Sequence, residues 1–265
     1  MKKVTLATAL LAGTAFSAHA VIIASTSFEE PTGYDDDYFD PDLTDHILTN
    51  QNTPGTNVGT VAYTSTGGEL GFTTRFSPTD FTGANGLSDG DEIGVSTQSD
   101  DVGGYTDGVQ GYKAEDIDGL LTVTFDTVNL TGFANSYVSL DIWTADTGWE
   151  DDNGDTGTTG LVGDSLRISL LFGDSTELVL FDNAGTDLDD LFDEPGNPIE
   201  GAWATLVGDL SGQTSATLSV AFASNAGSEE IYLDNIFFTD VNPVPEPSSA
   251  LLGLLGAGFA LRRRR

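Results

Sequence analysis

Cysteine is absent from this chain, methionine occurs once, histidine twice, and lysine plus arginine number nine against 42 aspartates and glutamates. Each shortage removes a class of chemistry. Without cysteine there is no disulfide, no thiol nucleophile and no thiolate metal site. His19 falls in a segment read below as removed on export, which leaves His46 alone. One histidine cannot supply the multi-histidine coordination usual for catalytic zinc. His46 lies in an acidic stretch with no G-x-S-x-G pattern to frame a serine hydrolase, and neither a P-loop nor a dinucleotide fingerprint is present.

The scarce cations are also unevenly placed. Lys2, Lys3 and Arg262, Arg263, Arg264 and Arg265 sit at the two ends, leaving Arg75, Lys113 and Arg167 for everything between. All 42 acidic residues lie between Glu29 and Glu246, so three cations face 42 anions there, a net of −39. A surface of that sign repels nucleic acid and anionic lipid. Two readings of the excess stay open: a solvated face suited to a saline medium, or an affinity for divalent cations.

Long apolar runs are missing except near the two ends. Lys2 and Lys3 precede an apolar run through Val4 to Phe16, and Ala18 and Ala20 supply the small residues that a signal peptidase requires. Residues 1–20 therefore read as a secretory signal with Val21 as the new N-terminus. At the other end, Pro245, Glu246 and Pro247 precede a 12-residue apolar segment, 250–261, and four arginines. A full bilayer span needs about 20 residues, so the segment is a short, transient membrane stop. The arginines behind it favour the cytoplasmic side. The two prolines keep their segment extended, where a processing enzyme can grip it.

This three-part tail resembles the PEP-CTERM sorting signal of bacteria. The resemblance implies recognition by an exosortase, a membrane-embedded, cysteine-peptidase-like protein that removes the tail. Signal peptidase and exosortase are thus the expected processing partners, and the product is expected at the cell surface or outside the cell. The implied organisation is a signal at 1–20, one domain at 21–240, and a spacer plus sorting tail at 241–265.

Between the tags the hydrophobic pattern has a period of two. Leu121, Val123 and Phe125 alternate with threonines; Val138, Leu140 and Ile142 alternate with Ser139 and Asp141. Leu166 to Phe172 and Leu218 to Phe222 repeat the pattern, while Gly, Asn and Asp punctuate the chain every eight to twelve residues. This predicts an all-β, antiparallel β-sandwich of jelly-roll type with long acidic loops at 35–45, 150–155 and 187–194. One short helix is expected near 188–192.

In the segment 228–238, Ile231 and Leu233 share one parity, whereas Ile236 and Phe238 share the other. If both pairs reach one core, an extra residue must enter near Asp234 and Asn235, which is a β-bulge. The segment resembles the last strand of carbohydrate-binding-module and galactose-binding-like jelly rolls, and Ser27-Phe28-Glu29 resembles their first strand. In such folds a structural calcium ion often ties the two strands. The resemblance therefore implies Glu29 and Asp234 as candidate metal ligands, with backbone carbonyls completing a shell of six to eight oxygens. The alternative is that both carboxylates cap strand ends or hydrogen-bond local backbone. The run Asp151-Asp152-Asn153-Gly154-Asp155 is not an EF-hand, because Thr156 and Val162 occupy the positions where glycine and glutamate are required.

Sugar recognition needs aromatic rings beside polar groups. Trp149 is the first candidate for glycan contact and Trp143 the second, with Tyr105 and Tyr112 behind them; core burial competes for each. No closely spaced carboxylate signature of a sandwich-fold glycosidase is seen, and the sequon at Asn129 carries little weight. The preferred reading is a non-enzymatic surface or matrix protein associated with exopolysaccharide. A calcium-supported carbohydrate-binding module and a β-sandwich glycan hydrolase or lyase are the alternatives.

Overall fold

Among the described residues, fourteen strands in two antiparallel sheets form a sandwich, as the alternation predicts. The structure is a computed structural model that describes residues 20–34, 37–51, 59–78, 86–88, 90–99, 102–145, 165–183, 200–224, 227 and 229–243. The 188–192 segment and two of the three acidic stretches, 150–155 and 187–194, lie outside the described residues, as do Trp149, Ala18 and the sorting residues Pro245, Glu246, Pro247 and Arg262 to Arg265. Among the described residues there is no helix, and none long and apolar enough to cross a membrane.

The first sheet runs in the order β12 (Ala204–Asp209), β9 (Tyr137–Thr144), β14 (Glu230–Thr239), β6 (Gly111–Glu115) and β5 (Glu92–Ser96), with β1 (Ile22–Thr26) also on β14. The second runs β11 (Glu177–Asp182), β10 (Ser165–Phe172), β13 (Ser215–Ser224), β7 (Gly119–Phe125), β4 (Phe72–Ser77) and β2 (His46–Ile47). The short strands β3 (Ala62–Tyr63) and β8 (Val128–Asn129) pair with β4 and β13.

Inner faces follow the two-residue period. Leu121, Val123 and Phe125 of β7 meet Val138, Leu140 and Ile142 of β9 in one continuous core. Phe28, Phe72, Tyr112 and Phe125 form its aromatic centre, with ring centroids 5.6 to 6.2 Å apart. Tyr112 therefore belongs to the core. Its hydroxyl shares a 2.7 Å hydrogen bond with Thr74 of the opposite sheet, and burial raises its pKa.

The bulge predicted from parity is present. Asp234 faces Asp141 and Phe237 faces Ser139, so β14 spends three steps where β9 spends two. Asn235 carries the extra step at φ 54°, a left-handed conformation that asparagine tolerates. Ile231, Leu233, Ile236 and Phe238 consequently all reach the core.

One expectation is corrected. Ser27-Phe28-Glu29 is not part of the first strand, which ends at Thr26. Phe28 turns at φ 60°, its N–H bonded to Thr26 Oγ1 at 3.0 Å and its ring fully buried. The backbone there finds a carboxylate instead of a neighbouring strand. Glu69 Oε1 accepts from Ser27 N, Ser27 Oγ and Glu29 N, and Oε2 accepts from Glu30 N, all at 3.0 to 3.1 Å.

The edge strand β5 is shielded by the chain itself. Tyr34 and Thr60 form isolated bridges to Ser96 and Val95. The close approach at Gly59 depends on Gly94, where φ is 117° and an added Cβ would meet the Gly59 carbonyl carbon at 2.7 Å. A covered edge cannot recruit another chain by strand addition.

Candidate functional site

The outer faces of the two sheets differ. In β7 burial alternates along the strand, so the outer face of the second sheet is wetter than its inner face. Strand β9 is instead buried at seven consecutive positions, inner and outer alike. Something covers the outside of the first sheet, and it is aromatic.

Cross-strand pairing sets Trp143, Tyr232 and Lys113 in one row on that outer face. Trp143 and Tyr232 meet edge to face at 5.5 Å, and Lys113 Nζ lies 5.6 Å from the Tyr232 ring centroid. Tyr105 reaches over the row from the loop between β5 and β6, 6.3 Å from Tyr232 and 6.4 Å from Trp203, which stands just before β12. Trp203 Nε1 donates to Gly104 O at 2.9 Å and Tyr105 Oη to Gln98 O at 2.5 Å, so the rings are held in place. Trp143 is 7% exposed, whereas Trp203 and Tyr105 are half-buried and offer ring surface to solvent.

A polar row adjoins the aromatic one. Asp141, 5% exposed, accepts from Thr205 Oγ1 at 2.5 Å and from Asn235 Nδ2 at 2.8 Å. At the other end of the aromatic row, Lys113 is tied to Glu92 at 2.6 Å, Glu115 at 2.5 Å and Gln98 at 2.8 Å. Burial pulls the lysine down, but hydrogen bonds to Glu115 and Glu92 outweigh it, and its pKa ends above the ordinary value. Burial pushes the Glu115 carboxyl up in spite of Lys113.

Glu29 and Asp234, paired by resemblance, are brought to one short segment. Strand β14 pairs with β6 through Leu233 and with β1 from Ile236 onward, on the same side, and the bulge marks the gap between them. The segment 106–110 fills that gap. Asp234 Oδ2 accepts from Thr106 Oγ1 at 3.0 Å and Asp107 N at 2.8 Å, and Oδ1 from Asn235 N at 2.6 Å. Glu29 Oε1 accepts from Val109 N at 2.7 Å and Gln110 N at 3.0 Å. Gln110, 7% exposed, completes the junction by donating to Phe28 O and Pro31 O and accepting from Gly33 N.

Burial raises the Asp234 pKa to about 6, against hydrogen bonds from Asp107, Thr106 and Asn235 that lower it. These oxygens are ringed by N–H and O–H donors, the environment of a bound anion. Asp234 and Glu29 Oε1 thus hold the 106–110 segment between them through its backbone N–H groups and the Thr106 hydroxyl. Among the described residues no group of three or more acidic or histidine side chains is placed to hold a metal ion.

His46 stands on the second sheet, with Nε2 3.0 Å from Asp40 and Nδ1 2.7 Å from Thr44 O; its pKa is raised, chiefly by the Thr44 carbonyl and with Asp40 adding to it. It touches none of the aromatic row. Trp203, Glu69 and Gln110 were missed by sequence reasoning. Trp203 had a readable signal, since Trp203, Thr205 and Val207 share the parity opposite to Ala204 and Leu206. Glu69 and Gln110 had none, because their roles depend on loops meeting in space.

Comparison with known proteins places the sorting tail on firm ground. Residues 243–265 match the family described as the PEP-CTERM protein-sorting motif. The chain is thus an exported protein carrying a surface-sorting signal. No curated protein matches it. Among solved structures it is similar to TmCBM61 in complex with β-1,4-galactotriose, at 10% identity, TM-score 0.36, over 63% of this chain and 86% of that one. It is also similar to a family 11 carbohydrate-binding module from Clostridium thermocellum, at 12% identity and TM-score 0.32, over 68% and 95%. An apo cyclase from Fischerella sp. matches at 16% identity and TM-score 0.36, over 84% and 97%.

Proposed function

We propose that this is a non-enzymatic cell-surface or matrix protein, sorted by an exosortase, that acts by binding a glycan on the outer face of its first sheet. The observation that carries the reading is the aromatic row of Trp143 and Tyr232, roofed by the Tyr105–Trp203 pair and flanked by the Thr205–Asp141–Asn235 polar row. A ring face covers the apolar C–H face of a pyranose, and adjacent polar groups orient its hydroxyls. Trp203 and Tyr105 supply the contact surface; Trp143 and Tyr232 support them from below. The net of −38 between the tags, 41 acidic against three basic residues, disfavours an anionic polymer and favours a neutral exopolysaccharide. Glu29 and Asp234 hold the loop that carries Tyr105, so calcium enters no step of this reading.

The test is affinity electrophoresis of the exported chain through gels carrying neutral and anionic polysaccharides, with and without a chelator. Retardation by a neutral glycan, unchanged on chelation and lost in Trp203→Ala, is expected. A panel that retards nothing, or retardation that survives Trp203→Ala in a folded variant, would sink the assignment of this face.

A further inference from the structure

The first and last strands of the domain meet at their outer ends. β1 and β14 are antiparallel, with Ile22 opposite Thr239. One residue further out, Val21 N–H donates to Asp240 Oδ1 at 2.7 Å and Asp240 N–H donates to Val21 O at 3.2 Å. The signal peptide ends at Ala20 by its small-residue pattern, and the sorting match begins at residue 243. Both tags therefore leave the domain from one pole, beside this contact.

Signal removal changes the chemistry of that contact. Water adds across the Ala20–Val21 bond, hydroxyl to the Ala20 carbonyl carbon and proton to the Val21 nitrogen. The amine so formed has an ordinary pKa of about 8 and takes a further proton at neutral pH. An N–H that donated to a carboxylate becomes an ammonium beside it. We propose that Asp240 is the docking carboxylate for the processed N-terminus, so that cleavage after Ala20 latches β1 onto the strand from which the sorting tail departs.

Two features of the molecule favour such a latch. Apolar burial holds this end weakly, since Val21 is 48% and Ile22 57% exposed. The three cations native to the domain are already paired, Arg75 with Asp45, Lys113 with Glu92 and Glu115, and Arg167 with Glu177 and Asp182. The α-ammonium is a fourth cation, created by processing. Asp240 is the charged group facing it; Thr239, Ile22 and Val241 around it carry no charge. The inference is independent of the glycan reading.

The exported full chain, processed by its host, tests this. Once the signal is gone its primary amines are the Val21 α-amine and the Lys113 ε-amine, and Lys113 is 2% exposed. An amine-reactive ester at neutral pH, read by peptide mass spectrometry, therefore reports on Val21. An exposed ion pair suppresses the reactive free amine by about two- to fivefold. Asp240→Asn should accelerate labelling by that factor, and Asp240→Glu should keep it slow. Fast labelling of Lys113 would reveal an unfolded variant. In that case wild-type protein in about 1 M salt, where charge is screened beyond about 3 Å, should label faster than in dilute buffer. An N-terminus other than Val21, equal rates in folded wild type and Asp240→Asn, or no effect of salt on the wild type would overturn the proposal.

Discussion

Asp234 Oδ2 accepts the N–H of Asp107 at 2.8 Å, which ties the bulge of the last strand to the loop that roofs the aromatic face. Asp234 is fully buried, and burial lifts its pKa from 3.8 to about 6. Between those values the folded chain holds a proton that the unfolded chain has lost. This group therefore makes the protein more stable as pH falls from above 6 toward 4, and the contribution disappears as pH rises through about 6. A shift of that size corresponds to roughly 2 to 3 kcal/mol. Urea unfolding of wild type and Asp234→Asn at pH 7.5 and pH 5 isolates it from the general relief of carboxylate repulsion. Since pH 5 lies about one unit below the folded value, the wild type should gain on the variant by roughly 1 to 1.5 kcal/mol there, about half of the full shift, and a difference independent of pH would refute the assignment.

The Thr74–Tyr112 hydrogen bond joins the two sheets where both residues are fully buried. Thr74→Val strands the Tyr112 hydroxyl in an apolar core, and Tyr112→Phe strands the threonine. Each single change should cost about 1 to 3 kcal/mol, whereas the double variant should cost less than their sum, because no orphaned group remains. Denaturation of all four proteins gives the coupling directly. Additive losses would show that the bond contributes nothing beyond packing.

Lys113 is the domain's buried cation, 3% exposed at its side chain, with Glu115 at 15% and Glu92 at 23%. Replacing it by methionine keeps the volume near Tyr232 but leaves two carboxylates facing each other in a poorly solvated place. Breaking a buried pair from one side costs about 3 to 5 kcal/mol. Lys113→Met should therefore lose most of that at pH 7.5 and recover part of it at pH 5, where the Glu115 carboxyl, pushed up by burial, takes a proton and relieves the repulsion. A loss that does not shrink in acid would place the cost in packing.

Patterns confined to one strand were legible in advance. The alternation in β7, β9, β10 and β13 announced the sandwich, and the parity break between Leu233 and Ile236 located the bulge near Asp234 and Asn235. Local pattern has no access to what one loop does to another element. Trp143 has the parity opposite to Val138, Leu140 and Ile142, which puts it on the outer face, yet it is 7% exposed because Tyr105 and Val102 cover that face. Glu29 and Asp234, paired by resemblance as ligands of one ion, each accept backbone N–H groups of the segment 106–110. Their shared partner, 106–110, lies over 70 residues from one and over 120 from the other, and hydrogen bonds of that range leave no mark on periodicity.

Glu69 shows the same limit with a testable consequence. Its carboxylate receives three backbone N–H groups and one hydroxyl from residues 27–30, where the chain leaves β1 and Phe28 enters the core. Charge-assisted bonds of this kind are stronger than neutral ones, and removing their acceptor leaves N–H groups that no strand can reclaim. Glu69→Ala should cost about 1 to 3 kcal/mol, and Glu69→Gln, which keeps one acceptor oxygen, should cost less. Hydrogen exchange would show protection falling first at Ser27, Glu29 and Glu30. Since Glu29 also grips the 106–110 segment, exchange at Val109 and Gln110 should rise in step. Unchanged exchange at Val109 and Gln110 would mean that the aromatic roof is anchored independently of the β1 exit.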